Sequence, residues 1–123
     1  MSELGLRLDP DSAVPPYEQV RRGIAERAAG GALAAGTRLP PVRQLAAELG
    51  LAVNTVARAY RELEQAGLVQ TRGRAGTVVT ARAARVPAEA VQAARRYAER
   101  TRALGLPPEA ALELVRAALQ PPA

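Results

Sequence analysis

The sequence predicts a mainly α-helical chain with one small β-hairpin, and three observations carry that prediction. Apolar residues recur at helical spacing in three segments between residues 16 and 66, and each segment closes on glycine. The pattern then switches to that of two short strands around a Gly-containing loop at residues 72–76. After Pro87 the helical period returns and runs to Pro121-Pro122.

The first twelve residues carry no periodic pattern and are expected to form a flexible N-terminus. A first helix starts at Pro15-Pro16, where proline is tolerated in an opening turn. Tyr17, Val20, Ile24 and Ala28 form one apolar stripe along it, and Gly30-Gly31 ends it. Tyr17 and, further on, Tyr60 lie on such stripes and are expected in the core. Residues 32–40 are a connector, with a turn at Gly36 and a short strand suggested by Thr37-Arg38-Leu39. A second helix opens at Pro40-Pro41, with Val42, Leu45, Ala46 and Leu49 inward and Gly50 as terminator. A third runs from Val53-Asn54 to Ala66, with Val56, Ala59, Tyr60 and Leu63 inward. The short gap between these two helices suits a helix-turn-helix. Ala46 lets the helices approach, Gly50 supports the turn, and Val56 locks the second helix.

Leu68–Thr71 and Thr77–Thr80 read as paired strands joined by Arg72-Gly73-Arg74-Ala75-Gly76. Three helices followed by a hairpin is the layout of a winged helix-turn-helix, expected over residues 13–80. Residues 81–86 read as a basic linker. Residues 87–120 read as a two-helix hairpin broken at Gly105 and Pro107-Pro108, a dimerisation or effector region.

Composition excludes most chemistry. The 123 residues include no Cys and no His, so disulfides, thiolate sites and the commonest general base and metal ligand are absent. No cofactor, metal or catalytic residue is expected, and no phosphate-binding glycine loop follows a strand. No apolar run approaches the roughly 18 residues of a membrane span, and the acidic, polar start of the chain does not read as a signal peptide. A bacterial cytoplasmic protein is expected. The apolar fraction of 48% overstates core-building power, because half of the aliphatic residues are alanine and the aromatics are three tyrosines. All 17 basic residues are arginine, and the net charge is +5. Residues 70–102 hold eight of those arginines against Glu89 and Glu99 alone, a distribution that favours a polyanionic partner.

The run LPPVRQLAAELGLAVNTVARAYRELEQAGLVQTRGRAGTVV resembles the DNA-binding domain of GntR-family transcription regulators. The preceding PPYEQVRRGIAERAAGGALAAGTRLP is similar to that domain's first helix and connector. The phrase NTVARAYRELEQAGL, with a short two-helix tail, is most similar to the YtrA subfamily. Departures are local. Pro41 stands where a capping Ser is usual, Ala52 and Val53 stand where a capping Ser or Asn and then Pro or Arg are usual, and the wing glycines are shifted to Gly73 and Gly76. The resemblance implies a DNA-binding regulator, often of transport operons.

Each DNA-contact candidate has a plainer alternative. Arg43 lies in the first turn of the second helix, where a cation opposes the helix dipole by roughly 0.3–1 kcal/mol unless an anion approaches. The resemblance also implies a DNA contact there, and the alternative is a solvated arginine. Asn54 and Thr55 open the third helix, where a recognition helix presents its first residues to base edges. Asn pairs with adenine and Thr with a phosphate or a thymine methyl, or Asn54 serves as a cap instead. Arg58 is one turn on, with an i,i+4 pair to Glu62 worth a few tenths of a kcal/mol as its alternative. Arg61 is expected in solvent. Arg72 and Arg74, with Gly73 and Gly76, suit a wing at the minor groove, against an ordinary basic loop. Arg82, Arg85, Arg95 and Arg96 either extend the electrostatic footprint or solubilise the tail.

The tail is too poor in bulky residues to cover itself. Val91, Ala94, Ala98, Leu104, Leu112, Val115 and Leu119 are expected to form a homodimer interface of twofold symmetry. Two recognition helices then address half-sites of a near-palindrome about 34 Å apart. The expected function is sequence-specific repression at an operator, with double-stranded DNA and a second copy as partners and no effector readable. The alternative is an architectural or protein-interaction winged module without sequence preference.

Overall fold

Pro15 is extended, and its geometry sets Pro16 at the first position of α1 (Pro16–Ala29), where its missing N–H costs nothing. The computed structural model describes residues 4–121. Two further helices follow, α2 (Val42–Leu49) and α3 (Val53–Gln65). Between them Gly50 adopts the left-handed conformation (φ 67°, ψ 34°), and the Leu51 N–H closes on the Ala46 carbonyl at 2.9 Å. That closure is available to glycine at little steric cost. It leaves two residues, Leu51 and Ala52, before α3 begins. Helices α1 and α3 pack on each other, as do α2 and α3. Val20, Ile24, Leu39, Leu45, Val56, Leu63 and Val79 are fully buried at their junction. Ala46 and Ala59 are buried too, and their small side chains permit close helix approach.

Strands β1 (Val69–Thr71) and β2 (Thr77–Val79) pair antiparallel, with Val69 opposite Val79, Gln70 opposite Val78 and Thr71 opposite Thr77. The connector adds an isolated β-bridge beside β2. Arg38 bridges Val78, the Leu39 N–H donates to the Thr77 carbonyl at 2.8 Å, and the Val79 N–H donates to the Thr37 carbonyl at 2.9 Å. The hairpin tip is a 3₁₀ turn over Gly73–Ala75. The fold is a winged helix-turn-helix.

Three expectations are corrected. Residues 4–12 are not a free lead-in: Leu4 and Leu6 are buried in the core cluster, and the Arg27 guanidinium donates to the Gly5 carbonyl at 2.5 Å. Gln19 fastens the other end of this arm, accepting from the Asp9 N–H at 2.8 Å and donating to the Asp9 and Val14 carbonyls. Alternating Leu4, Leu6 and Leu8 is a strand-like pattern too short to stand out. Residues 1–3 lie outside the described residues. The linker is corrected as well. Ala81–Ala84 form a short helix, α4, packed on α1, with Ala83 buried. Thr80 caps it, accepting from the Ala83 N–H while donating to the Gly67 carbonyl at 2.7 Å. Tyr17 is the third case: Tyr60 is buried, but Tyr17 stays half-exposed at the start of α1.

The first compact unit ends at Pro87, and a second begins at Ala88. The second consists of α5 (Ala88–Ala103) and α6 (Pro108–Leu119). Gly105 turns the chain with φ 79°, and the Leu106 N–H donates to the Thr101 carbonyl at 3.0 Å. The Tyr97 hydroxyl donates to the Ala111 carbonyl at 2.7 Å, tying the helices together. Among the described residues of this unit only Thr101 is buried, while Leu104, Leu112, Leu114 and Leu119 are exposed.

Candidate nucleic-acid interface

The helix-turn-helix presents two uncapped helix starts. Pro41 before α2 and Ala52 before α3 supply no side-chain hydrogen bond to the first turn. Their first N–H groups therefore keep the positive end of each helix dipole available to an anion. No acidic side chain occupies either first turn.

On α3 the buried stripe of Val56, Ala59, Tyr60 and Leu63 leaves Asn54, Arg58 and Arg61 on the exposed side. Asn54 does not cap the helix, and its side chain makes no hydrogen bond to a described residue. Thr55 is half-buried beside it, and Arg43 stands exposed in the first turn of α2 without an ion-pair partner among the described residues. Arg61 is likewise exposed.

Arg58 is held on two sides. Its Nε donates to the Glu62 carboxylate at 3.1 Å, the expected i,i+4 pair. Its guanidinium carbon also lies 3.6 Å from the centre of the Tyr17 ring. Glu62 is in turn 3.9 Å from Arg21, which is bonded to Glu18. The Arg21 guanidinium holds the Glu18 carboxyl below the usual carboxylate range. A chain of charged groups thus runs from α1 to the exposed face of α3. The role of Tyr17 was missed because its place on the apolar stripe suggested core. The available signal was its position in the first turn after two prolines, where a stripe residue reaches the helix end.

The wing carries the remaining candidates. Arg72 and Arg74 are exposed at its tip, with the Arg72 Nε 3.3 Å from the Gln70 side-chain oxygen. Gly73 has φ 49°, and Gly76 has φ 74° with ψ −152°, a combination essentially confined to glycine.

In the second unit α5 and α6 leave an apolar groove of about 920 Å³. Ala94, Ala98, Leu112, Val115 and Leu119 line it, together with Tyr97 and Thr101. Val91 and Leu104, grouped with them from the sequence, are not among its lining residues.

The family of bacterial regulatory proteins called gntR matches residues 16–79, just over half of the chain. The chain belongs to the gntR family. Its match spans α1, the helix-turn-helix and the wing, so the interface candidates Arg43, Asn54, Thr55, Arg58, Arg72 and Arg74 all fall within it. The HTH-type transcriptional regulator Rv1152 of Mycobacterium tuberculosis is 50% identical over 101 residues, covering 82% of this chain and 83% of that protein. The HTH-type transcriptional repressor YtrA of Bacillus subtilis is 41% identical over 76 residues, covering 61% of this chain and 58% of that protein. Among solved structures, the AraR DNA-binding domain in complex with operator ORX1 superposes with a TM-score of 0.53 at 26% identity, covering 61% of this chain and 93% of that one. This gntR-family chain is therefore a YtrA-like transcription regulator, not an enzyme. Among the described residues no group of His, Cys, Asp or Glu could hold a metal ion, and no helix is long and apolar enough to cross a membrane.

Proposed function

We propose that this regulator binds double-stranded DNA sequence-specifically and represses transcription by occupying an operator. The observation that carries the reading is the start of α3: uncapped, free of acidic residues, with Asn54 unbonded and Arg58 held beside it. Such a helix offers base-reading side chains at its first turns. Arg43 at the start of α2 and the wing arginines add phosphate contacts, which position the protein without reading sequence. The likeness to an AraR domain solved on its operator and to a relative named as a repressor supports the same reading. Such a protein acts in the bacterial cytoplasm, where the chromosome is.

The regulator works as a homodimer through α5 and α6. Their groove and the exposed Leu112 and Leu119 present apolar surface that the hairpin does not cover itself. A second copy is the natural cover, and twofold pairing matches a near-palindromic site with half-sites about 34 Å apart.

The test is footprinting of the purified protein on the DNA upstream of its own gene, across a salt series, with an unrelated duplex as competitor. A protected near-palindrome that resists the competitor is expected. Equal binding to both duplexes, lost together as salt rises, would replace the operator reading by an architectural one.

A further inference from the structure

We propose that Arg38 and Arg72 form a clamp for a backbone phosphate of double-stranded DNA, closed across Gly76 on the outer face of the wing. The proposal rests on the DNA-binding reading above and adds a residue, Arg38, that lies outside the helix-turn-helix and the hairpin.

The faces of the wing follow from its register. Val69 and Val79 are paired and both belong to the core cluster, so they mark the inner face. Strand alternation puts Gln70 and Val78 on the opposite face. Arg38 is bridged to Val78 and stands in the same row. Val78 is buried at 6% exposure although it is not part of the core cluster. Its row neighbours, Gln70 on one side and Arg38 on the other, flank it on the outer face.

Arg38 is solvent-exposed, and its guanidinium is the group nearest Gly76. It lies back along the wing over Gly76, where a Cβ would meet its Nε at 3.1 Å and its Cζ at 3.6 Å. Glycine is what leaves room there. Gly76 is paired to Arg72, whose N–H donates to the Gly76 carbonyl at 2.8 Å. The Arg72 side chain reaches back toward Gln70, at 3.3 Å, which places it on the same outer face. Arg38 and Arg72 thus share the outer face of the wing, Arg38 lying over Gly76 and Arg72 paired to it through the backbone.

No carboxylate answers them. Neither arginine has an ion-pair partner among the described residues. Glu64 of α3 accepts from the Thr71 hydroxyl at 2.8 Å, and Thr71 belongs to the other face by alternation. Two like charges on one face with no counter-charge are relieved by an anion, and guanidinium groups match phosphate oxygens in pairs. A phosphate contact of this kind carries no sequence information and acts on any duplex.

The experiment titrates a fluorescent duplex carrying the protected site, and an unrelated duplex, with the full chain across a salt series. The variant is Arg38→Met, which keeps the stem beside Val78 and removes the charge. The expected result is binding about fivefold weaker near 0.15 M salt, with the slope of log K against log salt shallower by about one unit. Both duplexes lose the same factor, and Arg38→Lys restores much of it. Arg72→Met costs a similar factor, and the double variant costs less than the product because both groups serve one phosphate. An Arg38→Met protein with wild-type affinity and slope would overturn the clamp while leaving the DNA-binding reading in place. Wild-type protein that binds neither duplex would overturn that reading, and the clamp with it. The arginine Nε–H signals of the wild type, followed by NMR during the same titration, give a readout independent of any variant's folding. The Arg38 signal shifts with duplex if the clamp is right and stays fixed if it is wrong.

Discussion

Arg58, on the exposed face of α3, lies over the ring of Tyr17 at the start of α1, with its guanidinium carbon 3.6 Å from the ring centre. The ring fixes the plane of a side chain that would otherwise sample many rotamers, and Glu62 fixes its edge. An arginine ordered before binding loses less entropy when it meets a base or phosphate. A cation–π contact at an exposed site is worth about 0.5–1 kcal/mol. Tyr17→Leu is therefore expected to weaken operator binding by roughly two- to fivefold. Tyr17→Phe, which retains the ring, should bind like the wild type. The check is a pair of equilibrium titrations with melting temperatures recorded alongside. Equal losses in both variants would assign the effect to the hydroxyl and not to the stacked ring.

The N-terminal arm makes a second prediction. Leu6 packs so closely on Gly23 that a Cβ at position 23 would fall 2.6 Å from its Cδ2. In an open helix Gly→Ala is stabilising by about 1 kcal/mol. Here it displaces Leu6, whose full burial is worth about 1.5–3 kcal/mol. Gly23→Ala alone should thus be neutral or destabilising. In a Leu6→Ala background the same substitution should stabilise by about 1 kcal/mol. Urea unfolding of the four proteins of this cycle measures the coupling. Additive effects would mean that Leu6 does not pack against position 23 in the folded unit.

The helices and the wing were legible because each is closed by a strong local signal: prolines before α1, α2 and α6, Gly50 in the turn, and a change of period at Val69. The DNA-facing candidates Asn54 and Arg58 followed from the same periodicity, as residues left over from the buried stripe. What stayed hidden depends on contacts distant in sequence. The arm is ordered by Gly23, Arg27 and Gln19, between ten and twenty-two residues away. The α4 turn depends on the hydroxyl of Thr80 meeting the Gly67 carbonyl. Arg38 joins the wing only because the connector bridges to Val78 of β2. In the tail, five of the seven residues expected at a dimer interface line one groove, while Val91 and Leu104 fall outside it.

Alkaline pH isolates a single tyrosine. The chain has no Lys and no Cys to compete with a buried tyrosine in the alkaline range. Tyr60 is buried, its hydroxyl donating to the Pro40 carbonyl at 2.6 Å. Burial pushes its pKa up, with a smaller push from the Glu48 charge. A raised folded-state value favours the protonated fold. Its contribution is complete below the unfolded tyrosine pKa of about 10 and is lost as pH rises above it. The melting temperature should therefore fall steadily above about pH 10. Tyr60→Phe should cost about 1 kcal/mol at neutral pH, for the lost hydrogen bond, and should flatten the alkaline decline. A decline of unchanged steepness in Tyr60→Phe would assign it to another group.

The groove between α5 and α6 sets the last prediction. Leu112 is 61% exposed and Leu119 is 78% exposed, so neither stabilises the isolated hairpin much. Across a twofold interface each side chain is buried twice, once per copy. Full burial of a leucine is worth about 1.5–3 kcal/mol, so a single substitution removes roughly 3–6 kcal/mol from the pair. That corresponds to a rise in the dimer dissociation constant of roughly a hundredfold to ten-thousandfold. Leu112→Arg should accordingly convert a dimer to a monomer in sedimentation equilibrium at micromolar concentration, with unchanged helical circular dichroism. The monomer should still contact a half-site but lose most of its affinity for the full palindrome, because the second half-site no longer binds as part of the same particle. A wild-type protein that sediments as a monomer at every concentration would remove the dimer from this picture and leave the groove to a different partner.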